Sequence, residues 1–168
     1  VEEFNNIAYC VIQSGVGLDL VNMKNTGIFS ENRLREMIAT CKSYGVLTKE
    51  HNSDYLSRDD LQNRFNLGLD AANIAPELGQ IETAVCLDLS DKQLFEKIYK
   101  ECLSSGKWKK WVDSNTFQPE NNKMELIRVC GHYMFSEEIF QKNMVNQVEI
   151  VKETKSRIKD RVIGLLGE

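Results

Sequence analysis

The sequence is short of several things, and each shortage narrows what the chain can be. It has no basic excess: 21 Lys and Arg stand against 25 Asp and Glu, a formal net charge of -4. A nucleic-acid binder needs a basic face to meet phosphate, so nucleic acid is not an expected partner. No apolar run approaches the roughly 18–20 residues a membrane-spanning helix requires, so no membrane partner is expected either. The five cysteines, at 10, 41, 86, 102 and 130, contain no CxxC pair. An odd, scattered set reads as reduced core thiols of a cytoplasmic protein, not as a disulfide frame. No GxGxxG or P-loop follows an apolar run, and no GxSxG elbow exists. Dinucleotide, nucleotide and α/β-hydrolase chemistry therefore have no signature here. Internal repeats and low-complexity stretches are missing as well.

What remains has ordinary globular proportions. Hydrophobic residues make up 42% and charged residues 27% of 168 positions, too apolar for a disordered tail and about the length of one domain. The chain opens on Val1 and reaches an apolar run by Tyr9 without a signal-peptide pattern. It reads as a chain that starts inside a larger fold.

Residues 7–16 form a nearly continuous apolar run closing on Ser14 and Gly15, the pattern of a parallel strand covered on both faces. Leu34, Met37, Ile38 and Cys41 then fall on one face of a 3.6-residue period, with Ser30 placed to cap the helix and Gly45 to stop it. A second strand, 46–48, breaks into the polar cluster 49–55, and Ser57 opens a short helix over 58–65. Residues 69–75 read as a third strand, and Pro76 suits the first turn of a helix reaching Leu89. From Ser90 onward only helices are expected. Ser90 would cap one with Leu94, Phe95, Ile98 and Cys102 on a single face; others cover 123–133, 136–147 and 148–166.

Strand and helix alternating over short links predict βαβ units and an α/β fold. Three parallel strands cannot close a barrel. The expected architecture is therefore the C-terminal part of a (β/α)8 TIM-type barrel over 1–89, about three βα units, followed by an all-helical extension over 90–168.

In such a fold the active face lies at the C-terminal ends of the strands. The first end supplies Gln13, Ser14 and Gly15, then Asp19 and Asn22. The second supplies Glu50, His51, Asp54 and Tyr55, and the third supplies Asn73 and, past Pro76, Glu77. His51 with neighbouring carboxylates can hold a divalent ion such as zinc or magnesium, or act as an acid–base pair; it can also be a polar loop that merely follows a strand. Glu77 can be a catalytic acid or a first-turn acid suited to its helix dipole. Gly15 and Gly17 fit a turn, and more weakly a phosphate approach. Lys49 has the position for a Schiff base, although a lysine flanking a strand usually faces solvent. Trp108 and Trp111, with Phe117 behind them, read as packing at helical spacing, and His132 reads as structural. Lys107, Lys109 and Lys110 make a small solvated patch.

Four stretches, in order, resemble one family. Glu50-His51-Asn52-Ser53-Asp54-Tyr55 matches a His-x-x-Asp-Tyr stretch, and Asn73-Ile74-Ala75-Pro76-Glu77-Leu78 lies where that family has a strand entering a Gly-Pro-x-Leu turn. Gln13-Ser14-Gly15-Val16-Gly17-Leu18-Asp19 is similar to Gln-Pro-Gly-Val-x-Phe-Asp, with Asn22 in place, and Trp108-Lys109-Lys110-Trp111 to Trp-Lys-Lys-Tyr. The family is that of the tagatose-bisphosphate aldolase accessory, non-catalytic Z-type subunits. Ala75 in place of Gly, Ser14 in place of Pro, Glu77 at a position often small, and a reduced aromatic region around Tyr133 depart from its pattern. The resemblance implies a barrel and sugar-phosphate metabolism. One form is metal-assisted C3–C4 retro-aldol or 4-epimerase chemistry on ketose (bis)phosphates; the alternative is a non-catalytic subunit that stabilises a class II aldolase catalytic partner. An oligomer is expected in either case. In the enzymatic form Asp19 would be the general base, Gln13, Gly15, Asn22, Tyr55 and Asn73 would bind substrate, and His51 and Asp54 would hold the ion. Glu50 as a further ligand and Glu77 as a catalytic group come from the chemistry of the residues alone.

Overall fold

Each element begins and ends where the local chemistry demands it. A computed structural model describes residues 6–135, 137 and 147–167. The order is β1 (Tyr9–Ile12), β2 (Leu18–Asp19), β3 (Lys24–Asn25), α1 (Glu31–Ser43), β4 (Leu47–Glu50), α2 (Arg58–Asn66) and β5 (Ala71–Ala72), then α3 (Pro76–Asp88), α4 (Lys92–Ser105), α5 (Lys123–Cys130) and α6 (Gln147–Leu166). Short 3-10 turns occupy Lys107–Lys110 and Gly131–Tyr133. No described helix is long and apolar enough to cross a membrane.

The chain divides into two compact units. The first holds residues through Asp19, Met23–Ala75 and those from Gly164 on; the second holds Leu20–Asn22 and Pro76–Ile163.

In the first unit β1, β4 and β5 form a parallel sheet in that spatial order, with Tyr9 opposite Leu47 and Lys49 opposite Ala71. Helix α1 starts because Ser30 accepts a hydrogen bond from the Arg33 amide and acidic Glu31 sits in the positive first turn. It stops where Gly45 takes a left-handed φ of 68° and the Val46 amide returns to the Cys41 carbonyl. The expected apolar face packs: Ile12, Leu34, Ile38, Cys41 and Leu69 form the core, flanked by Phe29, Met37 and Phe65. Ser57 caps α2, its hydroxyl accepting from the Asp60 amide at 3.1 Å.

In the second unit Pro76 opens α3 as expected. Asp91, not Ser90, caps α4, accepting from the Leu94 amide at 2.7 Å, while the Ser90 hydroxyl donates to the Cys86 carbonyl. A carboxylate in the N-cap position competes better than a hydroxyl that can bond back into the preceding helix. The helix expected over 123–133 ends at Cys130 and tightens into the 3-10 turn. The helix expected over 136–147 falls mostly outside the described residues. Trp108 is buried with its ring centroid 5.6 Å from that of Phe117, which is the packing arrangement.

The expectation of a TIM-type barrel portion is corrected. The described residues hold one three-stranded parallel sheet, one two-stranded hairpin, mostly helix otherwise, and no closed barrel. A barrel strand must keep its pairing over its length on both sides. Here β5 is only Ala71–Ala72. Leu69 turns into the helical core, Asp70 bonds the Thr48 side chain and amide at 2.8 Å, and the Asn73 carbonyl and Ala75 amide are taken by the loop after β4. The first apolar run also shortens, because β1 ends at Ile12 and the Ser14 amide turns to the Glu50 carboxylate. Two unexpected strands, β2 and β3, pair antiparallel with Leu18 opposite Asn25. Each has only two residues, too few for a periodic signal.

Candidate functional site

Parallel pairing brings the C-terminal ends of β1, β4 and β5 to one edge of the sheet, and with them Gln13, Glu50, His51 and Asn73. The loop after β4 is the centre of this edge. Its backbone is anchored at both flanks: the His51 amide donates to the Ile12 carbonyl at 3.2 Å, the Asn73 amide to the Glu50 carbonyl at 2.9 Å, and the Ser53 amide to the Asn73 carbonyl at 3.0 Å. Two non-glycine residues in it, Asn52 and Tyr55, hold left-handed φ values of 61° and 59°. Such backbone persists only where the surroundings fix it.

Asn25 supplies much of that fixing. Its side-chain amide donates to the carbonyls of Asn52 and Asp54, both at 3.0 Å, and its Oδ1 accepts from the amides of Gly17 and Gly27. Gly15 is required in the facing turn: its φ is 112°, and a Cβ there would lie 1.8 Å from the Ile28 carbonyl oxygen.

The carboxylates of this edge turn inward. Glu50 is wholly buried; its Oε1 accepts from the Ser14 amide at 2.6 Å and from the Ser14 hydroxyl, and its Oε2 accepts from Arg64 Nε at 2.8 Å. Arg64 is equally enclosed, donating also to the Asp60 carbonyl at 2.9 Å and lying 4.2 Å from the Phe29 ring centre. Asp54 is buried too, its Oδ1 accepting from the Ala75 amide at 2.9 Å. The groups presented outward are polar and not carboxylates: Gln13 and His51 are exposed, and His51 Nδ1 lies 3.1 Å from the Asn73 side-chain nitrogen.

Other expected residues lie elsewhere. Asp19 is in β2, cross-strand from Lys24 and 3.9 Å from its ammonium. Asn22 and Glu77 belong to the second unit. There Glu77 accepts from Arg161 Nε and from Arg161 Nη2 at 3.2 Å, an ion pair between α3 and α6. Tyr55 is half-buried in the loop after β4. Lys49 extends its ammonium to 5.8 Å from the centre of the Tyr9 ring.

A divalent ion on Glu50, His51 and Asp54 does not suit this arrangement. Both Glu50 oxygens are engaged, one by a guanidinium whose positive charge opposes a cation, while the His51 ring faces solvent. Among the described residues no group of three His, Cys, Asp or Glu side chains could hold a metal ion. Arg64 and Asn25 escaped sequence reasoning. An arginine near the end of a polar helix looks solvated, and an asparagine before Thr-Gly looks like a turn; only the sheet brings either to a strand end. No protein-family model and no curated protein matches the chain.

Proposed function

We propose that the chain is a non-catalytic, accessory-type protein of sugar-phosphate metabolism, cytoplasmic, that binds and stabilises a class II aldolase acting on ketose (bis)phosphates. The four motifs around Gln13, His51, Asn73 and Trp108 support the family, being alike in order and spacing to the accessory subunits of tagatose-bisphosphate aldolase. The observation that carries the non-catalytic reading is the commitment of the strand-end carboxylates to the protein itself. Glu50 is held by Arg64 and Ser14 and Asp54 by the Ala75 amide, so the edge presents amide and imidazole groups with no outward carboxylate from Glu50 or Asp54 to pair with His51 as acid and base or to complete a metal cage. Polar amide and imidazole groups on a fixed loop suit recognition; metal-assisted C3–C4 cleavage asks for a positioned base together with an electrophile that polarises the carbonyl.

The test is to mix the chain with the catalytic subunit of a class II tagatose-bisphosphate aldolase. Thermal inactivation of the aldolase is then followed with and without the chain, and metal content and ketose-bisphosphate turnover are measured on the chain alone. The expected result is a longer aldolase half-life at temperature, with neither turnover nor stoichiometric metal in the isolated chain. Metal-dependent cleavage or 4-epimerisation by the chain alone would replace this reading with the enzymatic one. An unchanged half-life, with no complex on gel filtration, would remove the accessory reading.

A further inference from the structure

All five cysteines are free, and four of them form two close pairs of opposite accessibility. Cys10 lies exposed on β1; Cys41 projects from α1 into the core of the first unit, 6% exposed. Cys10 is the neighbouring group that the Cys41 thiol meets where α1 packs on β1. Both line a cleft of about 650 Å³ with Gln13 and Met37, and both line a second of about 410 Å³ with Tyr9 and Tyr44. Small solutes can therefore reach the exposed Cys10 end of this pair. The members of the other pair, Cys102 on α4 and Cys130 at the end of α5, are also neighbours, yet each has no exposure at all.

We propose that Cys10 and Cys41 are a peroxide-responsive thiol pair, a modification site that closes to a disulfide between β1 and α1 when a small hydroperoxide enters the cleft. The exposed thiol reacts first. The Cys10 thiolate attacks the peroxide O–O bond, forming Cys10–SOH and releasing hydroxide. The Cys41 sulfur then attacks the Cys10 sulfur; the S–S bond forms, the S–O bond breaks, and the departing hydroxide leaves as water with the Cys41 proton. Two thiols and one hydrogen peroxide thus become one disulfide and two waters. The division of roles follows from the environments. Burial first, and contact with Cys10 next, push the Cys41 thiol up and keep it protonated, so it is the resolving and not the attacking partner. Cys102 is likewise pushed up, by the neighbouring Cys130 and by burial, and it has no exposure through which an oxidant could reach it. The sealed pair is an internal control for the open one.

The experiment uses the full chain, reduced and desalted, then exposed at neutral pH to hydrogen peroxide and sampled over time. Remaining thiols are blocked with N-ethylmaleimide under denaturing conditions, and digestion with mass spectrometry maps the products. The expected product is a Cys10–Cys41 cross-link two hydrogens lighter than the reduced peptides, forming about ten-fold or more faster than any Cys102–Cys130 link. Cys41→Ser should stop at Cys10 sulfenic acid, captured by dimedone, and Cys10→Ser should leave Cys41 reduced. Oxidation of Cys10 directly to sulfinic acid in the parent chain, dimers linked through Cys10, or equal rates for the two pairs would overturn the proposal. Mapping of the parent chain decides the matter even if a serine variant fails to fold.

Discussion

A carboxylate shut away from water must find its partners inside, and Glu50 finds two, Ser14 and Arg64. Removing one member of a buried ion pair leaves the other charge uncompensated, which costs about 3–5 kcal/mol, whereas replacing both with apolar or neutral groups of similar size is far milder. Glu50→Gln is therefore expected to lose stability in that range by urea denaturation, and Glu50→Gln with Arg64→Met to recover most of it. A single substitution as mild as the double would deny Glu50 its structural role. His132 carries a different kind of cost. Partial burial, and then the charge of Lys110, hold its imidazole below the ordinary histidine range. With the folded value lowered, the unfolded chain binds more protons in the window between that value and the ordinary one. Stability therefore rises with pH across that window and falls as the pH drops through it. Melts between about pH 5 and 7.5 should show this slope, and His132→Gln should flatten it; an unchanged slope would assign the acid sensitivity to other groups.

At the scale of elements, the close approach of α3 to the 3-10 turn Gly131–Tyr133 depends on a glycine. A Cβ on Gly79 would stand 2.9 Å from the Cβ and 3.0 Å from the Cγ of His132, atoms tied closely to their own backbone. Alanine gains up to about 1 kcal/mol of helix propensity over glycine, but overpacking of this kind costs about 1–3 kcal/mol. Gly79→Ala should thus be a net loss, read as a lower midpoint in denaturant, and it should cost less in a His132→Gly background, where both clashing atoms are gone, than in the parent chain. Helices were the legible part of this sequence. The face Leu34, Ile38 and Cys41 and the caps Ser30 and Ser57 stand where spacing puts them, because caps and apolar periods are local. The strand positions were legible too, but not their lengths: Asp70, Asn73 and Ala75 look like strand residues until tertiary bonds to Thr48, Ser53 and Asp54 claim them. The β2–β3 hairpin offered no period at all.

At the scale of the whole molecule, the barrel expectation rested on counting βα units, and such a count does not distinguish a small open sheet from part of a closed one. Closure depends on strand length and shear, which are decided by contacts between residues far apart in sequence. The candidate site shows the same division. Asp19, Asn22 and Glu77, expected at the strand ends, lie elsewhere; that Gln13, Glu50, His51 and Asn73 gather at those ends was readable from the order of elements. Which of them face outward was not, since the inward turn of Glu50 depends on Arg64 from α2 and on Ser14 from the end of β1.

The division of the chain into units has a consequence for its biosynthesis. The first unit takes in residues from Gly164 onward, and Gly167 sits so close to Arg58 that a Cβ there would fall 2.0 Å from the guanidinium carbon. A ribosome delivers Pro76–Ile163 before that last piece. The unit that begins to emerge first is therefore the last to be completed, and its nascent form waits, lacking its final segment, while the whole of the other unit is being made.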